Sequence, residues 1–395
     1  VHVGELDETV ERDLVYLGVV GILDPPRPEA MAAIAEAHAA GIRVVMLTGD
    51  HPVTAARIGA ELGLETSERG VSGQELSAFD SDEFDAAVES ESVFARVEPE
   101  HKLQIVEHLQ RNDEIVAMTG DGVNDAPALR RADIGVAMGV TGTEVSKEAS
   151  DMILADDNIA TILRAVREGR EIFADVRKVL RYLLASNGGE VLVMFVGVLA
   201  AGLLGLRSAG AEQAVPLLAT QILWINLLTD GALALALGVD PAVDDMMARP
   251  PRRLGERVVD RDMLQRILLL AVVSAISALA ALDLGLDGGL LGGSGDLETA
   301  RTMAFSTLVF GQVCDAFNSR SPRVSAFVRP FDNRLLWVSA AVTILLQVAV
   351  VHLPFMQTAF DTAPLDLREW AIVIALASTV LWADEIRKLI VRSRG

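Results

Sequence analysis

Residues 119–139 read TGDGVNDAPALRRADIGVAMG, and this stretch decides the fold of the chain. The short apolar run before it, residues 114–118, is typical of a buried parallel strand. Asp121, Asn124 and Asp125 then share a glycine-bearing loop, and loops at the carboxyl ends of parallel strands bind ligands in open α/β sheets. Clustered acidic oxygens suit Mg²⁺, which usually pairs one or two carboxylates with substrate phosphates. The alternative is a turn rich in Asp, Asn and Gly that only reverses the chain.

Strand and helix patterns alternate on both sides of this loop. Their alternation over about 155 residues predicts a parallel, doubly wound α/β sheet. An acidic segment, 65–91, is predicted to be a surface excursion with one short helix. The predicted strands are 14–23, 42–47, 93–95, 114–118, 134–137 and 152–154, and the predicted helices are 28–40, 52–62, 99–109, 126–131 and 144–149.

Two further polar sites fall at comparable ends of predicted strands. Thr48 and Gly49, followed by Asp50, could present a hydroxyl and a backbone N–H to a phosphoryl oxygen. Lys102, one of very few lysines, could supply a point positive charge to the same group. Taken singly, a Thr-Gly-Asp turn is common and a helical lysine is usually solvated. Together with the Mg²⁺ loop they favour a phosphoryl-transfer site.

Composition separates the chain into two parts. The 395 residues are 51% hydrophobic with a formal net charge of −21. Residues 1–170 hold 33 of the 55 acidic and 14 of the 34 basic side chains, so nearly all the negative charge lies in this part. Such an acidic part argues against nucleic-acid binding, which needs a basic surface. A single cysteine, Cys314, excludes an internal disulfide framework.

Four motifs carry a resemblance to a known family. They are DPPR at 24–27, MLTGD at 46–50, ARVEPEHK at 95–102 and TGDGVNDAPAL at 119–129. In this order they resemble the phosphorylation domain of P-type cation-transporting ATPases, which implies a haloacid-dehalogenase-like fold. The resemblance implies that Thr48, Gly49 and Lys102 contact an aspartyl phosphate, that Asp121 binds Mg²⁺, and that Asn124 and Asp125 complete the phosphate and metal site. It also places Asp50 and Arg96 toward ATP and residues 24–27 at a hinge.

One departure bears on activity. The family's nucleophile is the Asp of an Asp-Lys-Thr-Gly-Thr motif, and these residues contain no such motif. That Asp attacks the γ-phosphate and forms the covalent intermediate. The resemblance implies that this chain is the C-terminal portion of a pump whose N-terminal part lies upstream. We therefore expect no autophosphorylation from ATP by the chain alone.

From about residue 179 the sequence becomes a series of long apolar segments. We predict a cytosolic phosphorylation domain over 1–165 and an all-α stalk and membrane domain with six transmembrane helices over 166–395. Every second connecting loop is rich in arginine, which places the phosphorylation domain and both chain ends in the cytoplasm of a plasma membrane protein. The predicted spans are 180–205, 215–238, 265–286, 300–318, 335–354 and 369–387, of which the fourth is the weakest.

Polar side chains inside these spans recur at helical spacing. They are Asn187 and Glu190 in the first span, Asn226, Thr229 and Asp230 in the second, and Gln312 and Asp315 in the fourth. Spacings of three and four place each set on one helical face. Ionisable groups in a membrane are costly and indicate function, here an oxygen-rich cation site. The alternative is interhelical hydrogen bonding.

The first two of these sets, NGGE at 187–190 and NLLTD at 226–230, resemble the membrane motifs of calcium pumps. Gln312 with Asp315 is more similar to sodium/potassium pumps. The resemblance implies an ATP-driven pump with Mg²⁺ and ATP as cofactors, most consistent with Ca²⁺ as the transported ion. The alternatives are a Na⁺ or K⁺ pump, a phosphatase-like domain on a membrane anchor, and an inactive remnant or non-catalytic membrane subunit.

Overall fold

The computed structural model describes residues 14–20, 26–204, 206, 215–241, 245–252 and 254–394. Contacts divide the chain into two units, Val1–Leu163 and Arg164–Gly395. The first unit is an α/β domain and the second is all-helical. Each unit has its own core.

The first unit alternates strands with helices, as the sequence predicts. Its elements are α1 (Pro28–Ala39), β1 (Met46–Thr48), α2 (Pro52–Glu61), β2 (Val71–Ser72), α3 (Gly73–Ala78), α4 (Ser81–Ser90), β3 (Val93–Ala95), α5 (Pro99–Arg111), β4 (Ala117–Gly120), α6 (Ala126–Arg131), β5 (Ile134–Met138), α7 (Glu144–Glu148) and β6 (Met152–Leu154).

All strand pairings among the described residues of this unit are parallel, which confirms the predicted sheet type. Among the described residues the strands form two three-stranded sheets, in the orders β1-β3-β2 and β4-β5-β6. Leu47 pairs with Phe94 in the first sheet, and Thr119 pairs with Val136 in the second. Leu47 also packs against the apolar cluster around Met118, so side chains join the two sheets where backbone hydrogen bonds do not. Alternation of elements predicts parallel strands but does not specify which strands pair.

Local capping explains where several of these helices begin. Pro52 occupies the first turn of α2, and the His51 side chain accepts a hydrogen bond from the Val53 N–H. Ser72 and Glu75 form a reciprocal capping box at α3, and Asp80 does the same at α4. These caps satisfy N–H groups that the helix itself leaves without partners.

Four boundary predictions need correction. The strand predicted at 114–118 begins only at Ala117 and ends at Gly120. Residues 14–20 form no strand and expose their apolar side chains, because a β-rich run becomes a strand only when a neighbour pairs with it; residues 21–23 lie outside the described residues. The strand predicted at 42–47 begins only at Met46. The acidic segment 65–91 holds two helices and β2 rather than one short helix.

The second unit is built from long helices. They are α8 (Ile159–Leu199), α9 (Ala219–Trp224), α10 (Asp230–Leu237), α11 (Arg261–Gly285), α12 (Leu297–Ser319), α13 (Arg334–His352), α14 (Pro354–Phe360) and α15 (Leu367–Arg394), with α8 beginning at the end of the first unit. A π-helical turn, Ile225–Thr229, joins α9 to α10.

A helix lies at each of the six predicted membrane segments. Among the described residues, four stretches are long and apolar enough to cross a membrane: α8, α9 with α10, α11 and α13. The fourth and sixth predicted spans, α12 and α15, are helical but are not among these four stretches. Most of the α12 side chains are buried, including Gln312 and Asp315, so this helix is surrounded mainly by protein.

Helices α8 and α11 approach closely at two glycines. A Cβ atom at Gly188 would lie 3.2 Å from the Ala271 Cβ, and one at Gly189 would lie 3.2 Å from the Ser274 Cβ. These separations leave little room for any side chain, so the two glycines permit close helix packing. They also bring the α8 face that carries Glu190 into the bundle.

Candidate functional site

The loop after β4 is organised around the Asp125 carboxylate. Its Oδ1 atom accepts a hydrogen bond from the Lys102 Nζ at 2.7 Å, and its Oδ2 atom accepts from the backbone N–H groups of Asp121 and Gly122 at 3.2 and 3.0 Å. Asp125 is 6% exposed. The pairing joins α5, which follows β3, to the loop that follows β4. A buried charge with a cationic partner and two N–H donors is well compensated.

Gly120 makes this arrangement possible. A Cβ atom at position 120 would lie 2.4 Å from the Asp125 Cβ, a contact that no side chain tolerates. The glycine between β4 and the acidic loop is therefore required by close packing.

Thr48 ends β1, which lies in the other sheet, and Gly49 and Asp50 follow it. The Asp50 N–H donates to the Thr48 Oγ1 at 3.1 Å, which fixes the turn. Gly49 and Asp50 are exposed. No hydrogen bond joins this turn to Lys102 or Asp125 within the described part of the chain, although Leu47 packs against the apolar cluster around Met118. The structure thus brings Lys102, Asp121 and Asp125 together, and among the described residues it gives Thr48 no hydrogen bond to any of them.

Asp121 is the carboxylate open to a metal ion. Its side chain is exposed, and among the described residues it makes no hydrogen bond, while its backbone oxygen is held by the Thr143 N–H and the Ser146 hydroxyl. An open carboxylate on a fixed backbone fits Mg²⁺. Asp125, the second predicted Mg²⁺ ligand, already accepts from Lys102 and two N–H groups. Asn124 and Arg96 are exposed, and Arg96 has a left-handed φ of 49°.

A second polar cluster lies in the helical unit around Glu190. This residue is 4% exposed. Its Oε2 atom accepts from the Asn226 Nδ2 at 2.7 Å, and its Oε1 atom accepts from the Gln312 Nε2 at 3.0 Å. Thr229 donates from its hydroxyl to the Gln312 Oε1 at 3.3 Å. Predicted cation ligands from three separate helical segments therefore contact one another.

Asp230 belongs to the same cluster and is 1% exposed. Its Oδ1 atom accepts from the Tyr182 hydroxyl at 2.7 Å, and its Oδ2 atom accepts from the Ser186 hydroxyl at 2.8 Å. Ser186 also accepts from the Gln312 Nε2 at 2.6 Å, which links Asp230 to Glu190. Tyr182 and Ser186 are not among the site residues predicted from the sequence, although with Glu190 they follow the i, i+4, i+8 pattern of one helical face.

Two predicted cation ligands have other partners. The Asn187 amide donates to the Leu183 carbonyl oxygen of its own helix, at 2.8 Å. Asp315 lies against Arg266 of α11, with 3.4 Å between its Oδ1 atom and the arginine Nη2. Residues 312 and 315 share a helical face, but three residues advance the chain about 4.5 Å along the axis. Because of this offset along the helix axis, Gln312 and Asp315 contact different partners.

No cationic side chain pairs with Glu190 or Asp230 within the described part of the chain. Their hydrogen-bond donors are all neutral: two amides, a phenol and a hydroxyl. Over the same residues, no group of three or more His, Cys, Asp or Glu side chains could hold a metal ion. A cation here would thus rest on two carboxylates completed by neutral oxygens. The π-helical turn beside Asp230 is a feature frequently found at functional sites.

Comparison with known proteins finds family matches in both units of the chain. Residues 214–390 match the family described as cation transporting ATPase, C-terminus, and residues 2–133 and 102–166 match haloacid dehalogenase-like hydrolases. The chain belongs to the P-type cation-transporting ATPases. It matches their C-terminal portion, as the sequence predicted.

Several curated P-type ATPases align with most of this chain. The calcium-transporting ATPase of Bacillus subtilis is 44% identical over 94% of this chain and 40% of its own length. Calcium-transporting ATPase 1 of Yarrowia lipolytica is 37% identical over 99% of this chain and 41% of its own length. The probable cation-transporting ATPase F of Mycobacterium tuberculosis is 42% identical over 95% of this chain and 41% of its own length. The chain spans about 40% of the length of these relatives.

The Asp157 carboxylate stabilises the loop that packs over the Asp121 backbone. The pH dependence of this stabilisation is testable. The carboxylate accepts from the Val140 and Thr141 N–H groups at 3.0 and 2.8 Å. The Val140 hydrogen bond, with smaller contributions from Thr141, lowers the pKa of Asp157 from 3.8 to about 2 against an opposing effect of burial. Because folding lowers this pKa, the stabilisation is present above about pH 4 and is lost as the pH falls through about 2.

Hydrogen exchange, corrected for its intrinsic pH dependence, measures this effect. We expect Val140 and Thr141 to exchange slowly down to about pH 4 and faster as the pH approaches 2. Asp157→Asn should exchange fast throughout, whereas Asp82→Asn on the exposed face of α4 should behave as wild type. Equal protection in wild type and Asp157→Asn would contradict the assignment.

Proposed function

We propose that this chain is the C-terminal portion of an ATP-driven Ca²⁺ pump. In the proposal, aspartyl-phosphate formation and hydrolysis at the β4 loop drive transport of a cation through the cluster of Glu190 and Asp230. The unit that carries the β4 loop and both chain ends lie in the cytoplasm of a plasma membrane protein. The remainder of the pump, including the nucleophilic aspartate, is supplied by residues outside this sequence.

One observation carries the proposal: among the described residues, two buried carboxylates in apolar helices have only neutral hydrogen-bond partners. Burying a charge without a partner of opposite charge is expensive, and near a bilayer centre it is especially so. Glu190 and Asp230 are 4% and 1% exposed, and amide and hydroxyl groups link them into one cluster. A bound cation, or protons in its absence, would balance their charge. A cluster that served only to join helices would not need two carboxylates.

The cytosolic cluster supports the ATP-driven part of the proposal. Lys102 would place a positive charge beside the transferred phosphoryl group, with Asp125 fixing its ammonium group at 2.7 Å. Thr48 and Gly49 would present a hydroxyl and an N–H to the same group, and Asn124 would complete the phosphate site. Asp121 would hold Mg²⁺, which neutralises charge on the phosphoryl oxygens. Asp50 and Arg96, both exposed, would lie toward ATP.

Oxygen chemistry favours Ca²⁺ as the ion. Ca²⁺ takes six to eight oxygen ligands in flexible geometry, and carboxylates, amide oxygens, hydroxyls and backbone carbonyls are all available near Glu190. Asn187, Asn226, Thr229 and Gln312 would add neutral ligands. A Na⁺ or K⁺ pump is the second candidate, favoured by Gln312 standing where a further carboxylate would strengthen divalent binding.

The test is ATPase activation in a protein that carries this chain joined to the rest of the pump. Ca²⁺ is expected to activate at lower concentration than Na⁺, K⁺ or Mn²⁺. Glu190→Gln and Asp230→Asn should each shift Ca²⁺ activation at least about 100-fold, since each removes a direct ligand and even the loss of an outer-shell partner costs 10- to 100-fold.

Asp283→Asn is a matched control, because Asp283 is a buried carboxylate of the same unit that accepts only from the Leu290 and Leu291 N–H groups. It should leave the activating ion and its concentration unchanged. Activation by Ca²⁺ that survives both Glu190→Gln and Asp230→Asn would contradict the ion-site assignment. Activation by Na⁺ or K⁺ alone would favour the second candidate, and no ATPase under any ion would favour an inactive remnant.

A further inference from the structure

Arg266 of α11 is the largest fully buried side chain of the helical unit and plays no part in the cluster described above. It is 2% exposed. Its Nε and Nη2 atoms donate to the two carboxylate oxygens of Asp384 in α15, both at 2.9 Å. This paired geometry fixes the plane of the guanidinium group.

The same guanidinium faces Asp315, which is 4% exposed. The Arg266 Nη2 lies 3.4 Å from the Asp315 Oδ1, and the Ser319 hydroxyl donates to that oxygen at 3.3 Å. Arg181 of α8 adds a further positive charge close to Asp315. The other Asp315 oxygen, Oδ2, has no hydrogen-bond partner among the described residues. Asp315 therefore lies in positive surroundings.

Asp384 does not neutralise Arg266, because Asp384 has other cationic partners. It also pairs with Arg387 at 2.7 Å and Lys388 at 3.5 Å on its own helix, while Lys388 pairs with Glu385 at 3.1 Å. These two cations balance Asp384 and Glu385. The charge of Arg266 is then left to balance Asp315.

The contrast with the Glu190 cluster is the basis of the inference. Asp315 faces a fixed arginine, whereas Glu190 and Asp230 have only neutral hydrogen-bond partners in the part of the chain that the structure describes. A metal ion bound to Asp315 would be repelled by a guanidinium group that Asp384 holds in place. The two remaining negative charges equal the charge of one divalent cation.

We infer that Arg266 acts as a built-in counter-ion that removes Asp315 from the cation site, so that the site takes one divalent cation. The inference rests on the proposed function and deepens it, since it assigns the number of ions bound. It revises the expectation that Asp315 is itself a ligand. Arg266 is a positioning residue in this account, because it acts through Asp315 and does not touch the ion.

Equilibrium binding of radioactive Ca²⁺ to the purified chain in detergent tests the inference. Wild type should bind about one Ca²⁺ per chain, the number that two uncompensated carboxylates balance. Asp315→Asn, which keeps the Arg266–Asp384 pair, should leave that number unchanged and the affinity within about threefold. Glu190→Gln should weaken binding at least about 100-fold. Arg266→Gln should gain a second ion, and Arg266→Gln/Asp315→Asn should lose it again.

Two results would overturn the inference alone: two ions bound by wild type, or Asp315→Asn weakening binding as much as Glu190→Gln. If Arg266→Gln does not fold, the Asp315→Asn comparison decides. An absence of Ca²⁺ binding to wild type, with Glu190→Gln and Asp230→Asn indistinguishable from it, would instead overturn the proposed Ca²⁺ site on which the inference rests.

Discussion

Asp240→Ala should lower the free energy of unfolding of the helical unit by about 3–5 kcal/mol, which is the cost of removing one partner of a buried ion pair. The Asp240 side chain is fully buried. Its carboxylate accepts from the Lys178 Nζ at 3.0 Å, the Arg320 Nε at 2.9 Å and the Asn333 Nδ2 at 2.8 Å. Removing it leaves two buried cations without this shared partner.

The size of the effect follows from how many elements Asp240 joins. Lys178 belongs to α8, Arg320 follows α12, and Asn333 caps α13, while Asp240 itself follows α10. One substitution therefore loosens four helices. Thermal unfolding in detergent, followed by tryptophan fluorescence, should show a midpoint lower by about 10 °C. Asp262→Ala, at an exposed position in the first turn of α11, should change stability by no more than about 0.5 kcal/mol. Equal midpoints for the two variants would contradict the account.

Lys102→Met should slow phosphoenzyme turnover about 100- to 1,000-fold in a protein that carries the rest of the pump. This is the range found when one preorganised donor to a developing negative charge is removed. The fold should persist, because Asp125 keeps its hydrogen bonds from the Asp121 and Gly122 N–H groups. The measurement is the rate of phosphoenzyme formation and decay with labelled ATP.

Lys147→Met is the matched control for Lys102→Met. Lys147 lies in α7 of the same unit and pairs only with the exposed Glu144, at 3.1 Å. Its loss should leave turnover unchanged. A Lys102→Met protein that turns over within about tenfold of the Lys147→Met protein would contradict the proposed phosphoryl site.

Much of the cytosolic site could be predicted because its chemistry lies in short, contiguous motifs. The loop at 119–129 specifies a strand, a glycine that tolerates no Cβ and a buried carboxylate, all within a few residues. That Lys102 and Asp125 lie close together could also be predicted, because both residues follow parallel strands. Strand pairing could not be predicted. The run at 14–20 has strand composition but forms no strand, and β1 and β4 lie in different sheets.

The membrane cluster was predicted in outline because polar residues stand out in apolar helices. Periodicity placed Glu190 and Asp230 correctly inside the bundle. It could not reveal which helices face each other, so the partners Tyr182 and Ser186 were missed. The pairing of Asp315 with Arg266 was also missed, because Arg266 lies near a helix end, where an arginine is ordinarily solvated or interfacial. The π-helical turn gave no sequence signal that distinguishes it from an α-helix.

The most direct test of the central claim is Ca²⁺-dependent protection of the Glu190–Asp230 cluster from a carboxyl-modifying reagent. A hydrophobic carbodiimide should label Glu190 or Asp230 in the ion-free chain, and peptide mass spectrometry would locate the label. The account predicts that Ca²⁺ suppresses this labelling in a saturable manner, and that it does not alter labelling of Asp283 in the same unit. Labelling of Glu190 and Asp230 that is unchanged by Ca²⁺, Na⁺ and K⁺ alike would contradict the claim that these two carboxylates bind the transported cation.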